Sequence, residues 1–204
     1  MPLPTAEQVR PVVLRQVGGT VADPLLDTLI ATADEVCARI CMFPVADDAS
    51  LPSLEAADYT LYPRPDRFEP RTLNLQLRPT TALVSAEVDI GGDWTYSDDA
   101  EADAELDLRG RLRLTPLSTH SWSTVPRGNR VTVTAGYDVA ATPGLLLAFG
   151  LLASYWLQQP VPGLQTATVV GQTATWAEAR IPPAVRELLE PYRLWERETH
   201  GFDA

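Results

Sequence analysis

Apolar residues at helical spacing appear at the amino-terminal end of the sequence. Thr5 and Gln8 have the spacing of a capping box, so Thr5 is predicted to cap a first helix. Gly18 and Gly19 follow the apolar positions and are predicted to end that helix. The apolar positions between these two signals are Val9, Val12 and Val13.

A second, longer helix has the clearest pattern in the sequence. Asp23 is predicted to be its N-cap residue, and Pro24 its first helical residue. One apolar stripe runs along this helix, which is predicted to extend to Phe43, and Pro44 is predicted to stop it. The stripe comprises Leu25, Leu26, Leu29, Ile30, Ala33, Val36, Cys37, Ile40 and Cys41.

Alternation of apolar and polar residues replaces helical spacing in the middle of the chain. It predicts strands over 73–77, 84–90, 106–114 and 130–137. The segment Gly91–Asp93 is predicted to be a hairpin turn between two of them. Because no helix separates these strands, we expect an antiparallel sheet or a small sandwich.

Two longer loops are predicted in this strand-rich zone. One is the acidic segment Asp98–Asp103, and the other covers residues 116–128. The acidic segment lacks the spacing of a calcium-binding loop, and no Glu stands at the twelfth position. It is therefore predicted to be a solvated loop and not a metal site.

The helical pattern returns toward the carboxyl terminus. Residues Leu145–Leu157 are apolar on nearly every side, which predicts a helix buried between other elements. This segment is shorter than the roughly 20 residues that span a bilayer, so no membrane contact is expected. After Pro183 a short helix is predicted over Ala184–Glu190, and Pro191 interrupts it.

The charge balance narrows the possible functions. The net charge is -11, and all 16 basic residues are arginine. A chain without lysine has no P-loop lysine and no Schiff-base amine, so both chemistries are excluded. The negative charge also argues against binding polyanions over the whole surface. Arginine suits fixed interfaces, although the base composition of the genome is the simpler explanation for the missing lysine.

Candidate catalytic residues are few. His120 lies among serines without a nucleophile-elbow motif, so a loop or rim position is expected, and His200 lies near the carboxyl terminus. Cys37 and Cys41, four residues apart, are predicted to be reduced, buried thiols and not a disulfide or zinc site. No catalytic residue, metal site or cofactor is predicted.

Aromatic residues near the carboxyl terminus are a stronger sign of function. Tyr192 and Trp195 lie on either side of Arg193, and these residue types dominate interface hot spots. Such a segment either docks on another chain or packs back on its own helices. The residue types leave both alternatives open.

Taken together, the elements resemble the head–tail connector proteins of long-tailed phages, also called adaptor or head-completion proteins, which occur in gene transfer agents as well. The resemblance depends on the order and spacing of four segments. The last of them has a proline start, a short helix and the sequence Pro-Tyr-Arg. The four segments are Asp23–Phe43, Leu77–Asp89, Arg130–Trp156 and Ile181–Arg193.

The resemblance implies an α+β fold. Helices from residues 1–45 and 139–204 are expected to pack as one helical bundle, with residues 46–138 as an inserted antiparallel β-rich region. That middle region is larger than in the shorter members of the family. The resemblance therefore does not assign individual middle loops to the bore or to the tail.

The resemblance also implies a structural function without enzymatic activity. It implies a ring of twelve copies at the virion neck, assembled in the bacterial cytoplasm. In agreement, the first residues contain no basic segment followed by an apolar run, so no signal peptide is expected. The ring would bind the portal protein and a downstream head-completion or tail protein, and DNA would pass through its bore without sequence-specific binding. Portal binding is expected at Pro191, Tyr192, Arg193, Leu194, Trp195 and Arg197.

Charged residues are expected at particular places in such a ring. Arg109, Arg111 and Arg113 are candidates for contacts between subunits, where opposite charges of identical copies can meet. The acidic residues of Asp98–Asp107 are expected on solvent or bore surfaces. The alternative function is a ligand-binding domain or an enzyme with a cleft between the sheet and the C-terminal helices.

Overall fold

A computed structural model of the chain describes residues 3–89, 98–107, 109–158 and 181–194. Helices and antiparallel sheets are both present, so the fold class is α+β as predicted. The chain divides into two compact units. The helical unit comprises Met1–Pro44, Leu51–Glu55 and Tyr137–Arg193, and the β unit comprises Val45–Ser50, Ala56–Gly136 and Leu194–Ala204.

Helix α1 (Ala6–Val17) begins at the predicted capping box. The Gln8 N–H donates to the Thr5 hydroxyl, and the Thr5 N–H donates to the Gln8 side chain at 2.8 Å. These two bonds satisfy backbone donors that the first turn of a helix otherwise leaves free. The helix ends before Gly18, whose φ of 68° lies in the left-handed region.

Helix α2 (Asp23–Ile40) begins one residue earlier than the sequence predicted. Its N-cap residue is Ala22, so the assignment of Asp23 as the cap was wrong. Asp23 is the first helical residue, and its carboxylate forms an ion pair with Arg10 of α1. That carboxylate is directed at a neighbouring helix, and Pro24 still lies in the first turn.

The carboxyl-terminal end of α2 is also earlier than predicted. The helix ends at Ile40, not at Phe43, because Met42 adopts a φ of 61° in the left-handed region. The Phe43 N–H then donates to the Ala38 carbonyl at 2.9 Å, which satisfies a carbonyl in the last turn. The helix therefore ends before Pro44, so this proline is not the residue that terminates it.

Helix α3 (Pro143–Gln158) is the centre of the helical unit. Helices α1, α2 and α4 (Pro183–Leu189) all contact it, and its residues Leu145, Phe149 and Leu152 are fully buried, as its apolar pattern predicted. At Gly150 an added Cβ would lie 2.6 Å from the Cβ of Val12, so glycine permits the close approach of α1. No helix among the described residues is long and apolar enough to cross a membrane.

A short segment, Leu51–Glu55, packs with the helices. The carboxylate of Asp34, buried in α2, accepts the Leu54 N–H at 2.9 Å. The Leu54 carbonyl in turn accepts the Tyr137 N–H at 2.8 Å, and Glu55 forms a parallel bridge with Tyr137. The buried carboxylate of Asp34 therefore holds this segment on α2. The segment lies beside Tyr137, where the chain returns from the β unit to the helical unit.

The β unit contains two antiparallel sheets within the described residues. The first has the strand order β1–β7–β3–β4, and the second has the order β2–β6–β5. The predicted antiparallel arrangement is confirmed. The strands are β1 (Ala57–Leu61), β2 (Thr72–Asn74), β3 (Thr80–Val88), β4 (Asp98–Asp99), β5 (Ala104–Leu106), β6 (Arg111–Leu114) and β7 (Asn129–Ala135).

Two strand predictions, one buried position and one loop prediction need correction. The strand predicted over 106–114 is divided into β5 and β6, which pair with each other antiparallel. The predicted strand over 73–77 ends at Asn74, because Gln76 has a φ of 61° that breaks the extended backbone. Val84, expected to be on the buried face, is 46% exposed because the register shifts between Leu83 and Ser85. The acidic segment is not wholly a loop, since β4 pairs with the end of β3. The predicted turn at 91–93 lies outside the described residues.

The outer edge of β1 is closed by a loop residue. The Asp47 N–H donates to the Asp58 carbonyl at 3.0 Å, and the Asp47 carboxylate accepts the Thr60 N–H at 3.0 Å. The other carboxylate oxygen accepts the Thr60 hydroxyl at 2.6 Å. One residue therefore makes the hydrogen bonds that a neighbouring strand would make at this edge.

Candidate functional site

The first candidate site is the carboxyl-terminal segment that follows α4. Val185 and Leu189 are fully buried and fix α4 within the helical unit. A 3-10 turn (Glu190–Tyr192) continues from the helix, and the Tyr192 ring packs edge-on against the Tyr137 ring at 5.2 Å between centroids. Tyr192 is therefore half-buried and serves as the anchor of this segment.

A glycine makes room for that anchor. A Cβ added at Gly144, in the first turn of α3, would lie 2.5 Å from the Tyr192 hydroxyl oxygen. The Tyr137 ring also contacts the Phe43 ring, at 5.9 Å between centroids. Three rings from distant parts of the sequence thus form one continuous row, which holds the backbone just before Arg193.

The residues on either side of Tyr192 are more accessible. Pro191 and Arg193 are exposed, and Leu194 is half-buried. The Arg193 guanidinium is 3.3 Å from the Glu190 carboxylate, an exposed pair whose contribution to stability is small. Trp195 and Arg197, the other two predicted portal contacts, lie outside the described residues.

The second candidate set, the arginines at 109, 111 and 113, lies in the β unit. All three are exposed. Arg111 and Arg113 share one face of β6, and Arg113 lies opposite Glu105 of β5 in the register. Arg111 forms an ion pair with Glu69 of its own chain, so part of this positive charge is already neutralised.

Arg109 belongs to the turn between β5 and β6. The Asp107 carboxylate accepts the N–H groups of Arg109 and Arg111, at 2.8 and 2.9 Å. Gly110 has a φ of 73°, and an added Cβ there would overlap the carbonyl oxygen of Leu77. The turn is therefore tightly specified, and it presents Arg109 on its exposed side. The portal candidates up to Arg193 and these arginines belong to different units.

His120 lies in the loop after β6, as predicted. Its Nε2 atom is 3.6 Å from a carboxylate oxygen of Asp103, and its backbone N–H donates to the Ser118 hydroxyl at 3.0 Å. The contact with Asp103 becomes an ion pair only when the imidazole is protonated. Within the described ranges, no group of three or more His, Cys, Asp or Glu residues has the arrangement of a metal site.

The two cysteines of α2 are free and buried. Burial raises the pKa of Cys37 well above its ordinary value, and it raises the pKa of Cys41 to about 12. A buried thiol of this kind is neutral and unreactive at neutral pH. The predicted burial of both thiols is confirmed.

A cavity of about 570 Å³ lies in the β unit, between the loop at 61–68 and residues 74–76. Asp66 is the one carboxylate in its lining, and this side chain accepts the N–H groups of Phe68 and Glu69. Its oxygen is thus engaged in holding the loop, which does not favour a role as a general base.

Sequence patterns did not identify the most exposed apolar side chains. Phe68 is 89% exposed and Leu117 is 94% exposed, and both lie in turns of the β unit. Single apolar residues between prolines and charged residues carry no periodic signal. An apolar residue inside a predicted loop was the one sign available, and it does not distinguish an exposed side chain from one folded inward.

Comparisons with known proteins give a likeness in fold. The chain matches no protein-family model and no curated protein sequence. A chain from the "Neck of empty GTA particle computed with C6 symmetry" has a TM-score of 0.55 and 19% identity, covering 98% of this chain and 96% of that chain. GTA denotes a gene transfer agent.

Two further solved structures have lower scores. A chain from the "Virion of native gene transfer agent (GTA) particle" has a TM-score of 0.47 and 17% identity, and covers 98% of this chain and 96% of that chain. A chain from the "Neck of native GTA particle computed with C12 symmetry" has a TM-score of 0.48 and 18% identity, with 98% and 92% covered. At the level of the fold, the first of these three structures confirms the resemblance stated from the sequence: over nearly its whole length, this chain has the fold of a protein found in the neck of a gene transfer agent particle.

Proposed function

We propose that this chain is a structural protein of the neck of a phage or a gene transfer agent particle. The observation that carries the proposal is the fold shared with a neck chain over 98% of this sequence. In this function, copies of the chain form a ring, with twelve as the expected number. The ring joins the portal protein to the next head-completion or tail protein, and it has no enzymatic role.

The helical unit supports this architecture. Helices α1 and α2 from the first part of the chain and α4 from the last part all contact α3. We therefore propose that residues 1–45 and 139–204 form one bundle and that residues 46–138 are a β-rich insertion. Such an arrangement gives the ring subunit a helical body and a separate β unit for further contacts.

The carboxyl-terminal segment is the proposed portal contact. Tyr192 is anchored on Tyr137, so the backbone from Arg193 onward starts from a fixed point of the helical unit. The segment then offers Arg193, Leu194, Trp195 and Arg197 to the portal, with Pro191 beside the anchor. Aromatic and arginine side chains are the residue types that dominate such contacts.

Removal of the segment after the anchor tests this role. A chain truncated after Tyr192 keeps the aromatic row and is expected to stay folded, but to lose binding to the portal protein of the same particle in a pull-down. A full-length Arg193→Ala variant is a smaller change, and it is expected to bind the portal protein more weakly than the wild type does. Unchanged portal binding by the truncated chain would refute the docking role.

Location in the particle tests the function itself. Particles that carry the chain with an electron-dense tag are expected to show the label as a ring at the neck. Label over the capsid shell or at the far end of the tail would contradict the proposal.

DNA passage is proposed from the charge. With a net charge of -11, the ring is expected not to retain DNA, because counterion-driven binding needs clustered positive charge. Filter binding of duplex DNA to the assembled ring at low salt measures this property. Tight retention that weakens steeply with added salt would count against a passive conduit.

A further inference from the structure

The ring of Tyr192 is held between two residues of one short stretch of chain. On one side it packs edge-on against the Tyr137 ring, at 5.2 Å between centroids. Its hydroxyl oxygen lies against Gly144, only 2.5 Å from the position that a Cβ would occupy there. Tyr137 and Gly144 thus form the two walls of a socket for this ring, named here the Tyr192 socket.

Hydrogen bonds fix the two walls relative to each other. The Asp138 carboxylate accepts the Ala141 N–H at 3.1 Å, and the Asp138 carbonyl accepts the Thr142 hydroxyl at 2.6 Å. The Thr142 carbonyl then accepts the Leu146 N–H at 3.0 Å, at the start of α3. Residues 137–144 are therefore a closed turn that leads into α3, and its own hydrogen bonds set the width of the socket.

The Tyr137 wall is supported from behind by α2. The Phe43 ring, which is 4% exposed and follows the end of α2, contacts the Tyr137 ring. The Tyr137 N–H donates to the Leu54 carbonyl at 2.8 Å, and the buried Asp34 carboxylate of α2 holds the Leu54 N–H in turn. Both the ring and the backbone of Tyr137 are thus fixed, so this wall cannot withdraw from Tyr192 without breaking other contacts.

The turn that carries Tyr192 depends on this one side chain for its position. Glu190 and Pro191 are exposed, whereas Tyr192 is half-buried. The Arg193 N–H donates to the Glu190 carbonyl at 3.3 Å, and the chain continues from Arg193 in extended conformation. Because Tyr192 is the packed residue of the turn, its ring fixes the direction in which the chain continues.

The backbone gives no reason for a glycine at position 144. Gly144 lies in the first turn of α3, and its φ is not in the left-handed region. A glycine in a helix lowers stability relative to alanine, so its conformational freedom brings no benefit here. The position of the Tyr192 hydroxyl does explain it, since any side chain at this position would displace the ring.

We propose that Tyr137 and Gly144 are positioning residues for portal binding, which fix the Tyr192 ring and thereby orient the segment from Arg193 onward. Neither residue needs to contact the portal protein. A segment that starts in a fixed direction loses less conformational freedom on binding, so displacement of the ring weakens binding without removing a contact residue. The inference rests on the proposed portal contact and identifies what orients it.

Gly144→Ala in the full chain tests the proposal. The added methyl group overlaps the Tyr192 hydroxyl, while alanine favours the helix, so the chain is expected to stay folded. Its affinity for the portal protein of the same particle, measured by surface plasmon resonance, is expected to fall at least about tenfold, as for the loss of an interface hot spot. Unchanged affinity would overturn the proposal.

A double-mutant cycle with Tyr192→Phe identifies the cause. This substitution removes the hydroxyl oxygen and keeps the ring, whose nearest carbon atoms lie at an ordinary contact distance of 3.4 Å from the added Cβ. The effect of Gly144→Ala on portal affinity is therefore expected to disappear in a Tyr192→Phe background. A merely structural role of Gly144 would not be repaired in this way, so persistence of the full effect would overturn the proposal.

Gly150→Ala is the matched control, because it is the same substitution in the same helix but overlaps Val12 instead. Below its unfolding temperature it is expected to bind the portal protein as the wild type does. Equal weakening by both alanine variants would overturn the proposal, since general disturbance of α3 would then be the cause. At the other wall, Tyr137→Leu is expected to weaken binding, whereas Tyr155→Leu, at a half-buried tyrosine of α3 outside the socket, is not.

NMR spectra of the free chain separate the socket from the portal contact. The ring current of Tyr137 displaces the resonances of the Tyr192 ring, and Gly144→Ala is expected to move them toward their values in the unfolded chain. Unchanged resonances would overturn the socket, whatever the portal affinity. A wild-type chain that does not bind the portal protein would overturn the proposed portal contact, and the resonances would still decide whether Tyr137 and Gly144 position the ring.

Discussion

Asp34 is a buried acid whose ionisation opposes folding. It lies in α2 at 6% exposure, where its carboxylate accepts the Leu54 N–H at 2.9 Å. Burial raises its pKa from 3.8 to about 6, although hydrogen bonds from Ser53 and Leu54 act in the opposite direction. The perturbation we consider is Asp34→Asn, which keeps an acceptor oxygen for Leu54 and removes the titration.

The sign of the effect follows from the folded and unfolded pKa values. The folded chain holds the Asp34 proton more tightly than the unfolded chain, so this group favours folding most below pH 3.8. That contribution is lost as the pH rises through about 6. The full difference corresponds to about 3 kcal/mol, of which about 1.4 kcal/mol is lost between pH 5 and pH 8.

Urea unfolding followed by tryptophan fluorescence measures this slope. The range from pH 5 to pH 8 lies above the isoelectric point of about 4.5. Over that range, the free energy of unfolding of Asp34→Asn relative to the wild type is expected to rise by about 1.4 kcal/mol. The comparison uses the change with pH, so a constant offset from the amide substitution does not affect it.

A second aspartate in the same helix provides the control. Asp27 is exposed in α2, and Asp27→Asn removes one negative charge without altering a buried group. Its unfolding free energy is expected to follow the wild-type pH profile. If Asp34→Asn also follows the wild-type profile between pH 5 and pH 8, the argument from burial of this carboxyl is refuted.

Three further predictions concern close contacts and buried thiols. Gly150→Ala gains about 1 kcal/mol of helix propensity, but its methyl group overlaps Val12. Thermal unfolding is therefore expected to show a net loss of stability of up to about 2 kcal/mol, partly restored by Val12→Ala in a double-mutant cycle. A net gain of stability would contradict the close approach of α1 and α3. Gly110→Ala combines a strained positive φ with overlap of the Leu77 carbonyl, so it is expected to lower the free energy of unfolding by about 3 kcal/mol or more. Gly19→Ala is the control, with a smaller expected loss, because its φ is also positive but the space around it is open. Equal losses of stability in the two variants would disprove the overlap. The two cysteines of α2, whose pKa values burial raises, are expected to react with a thiol reagent at pH 8 only as fast as the chain unfolds, and rapid labelling of folded protein would contradict their burial.

Much of the helical unit was predictable because its signals are local. The capping box at Thr5 and Gln8 and the apolar run of α3 each depend on neighbours within a few turns. The errors at α2 have non-local causes. Asp23 pairs with Arg10 of another helix, and the left-handed backbone of Met42 ends α2 before Pro44.

The candidate sites were less predictable because they depend on tertiary contacts. Asp34 stands between Ile30 and Cys37 in the apolar stripe, so its burial had a helical signal. Phe68 and Leu117 had none, because each is a single apolar residue in a turn. Asp66 closes the Phe68 turn locally, whereas Arg71, distant in sequence, donates to the carbonyls of the Leu117 turn. For Tyr192, the residue type suggested an exposed docking side chain or a packed one, and the aromatic row shows the packed form.

The hydrogen bonds that Asp47 makes along the outer edge of β1 limit how copies of this chain can polymerise. An uncapped strand edge adds further strands without end, since each added strand presents a new edge of the same kind. With its carboxylate and N–H, Asp47 already occupies the Thr60 N–H and the Asp58 carbonyl, so main-chain pairing cannot begin there. At the other side of that sheet, β4 pairs with Glu87 and Val88 at the end of β3. At the β1 edge, copies are thus left to meet through side chains, and backbone pairing of the kind that gives a fibre is blocked there.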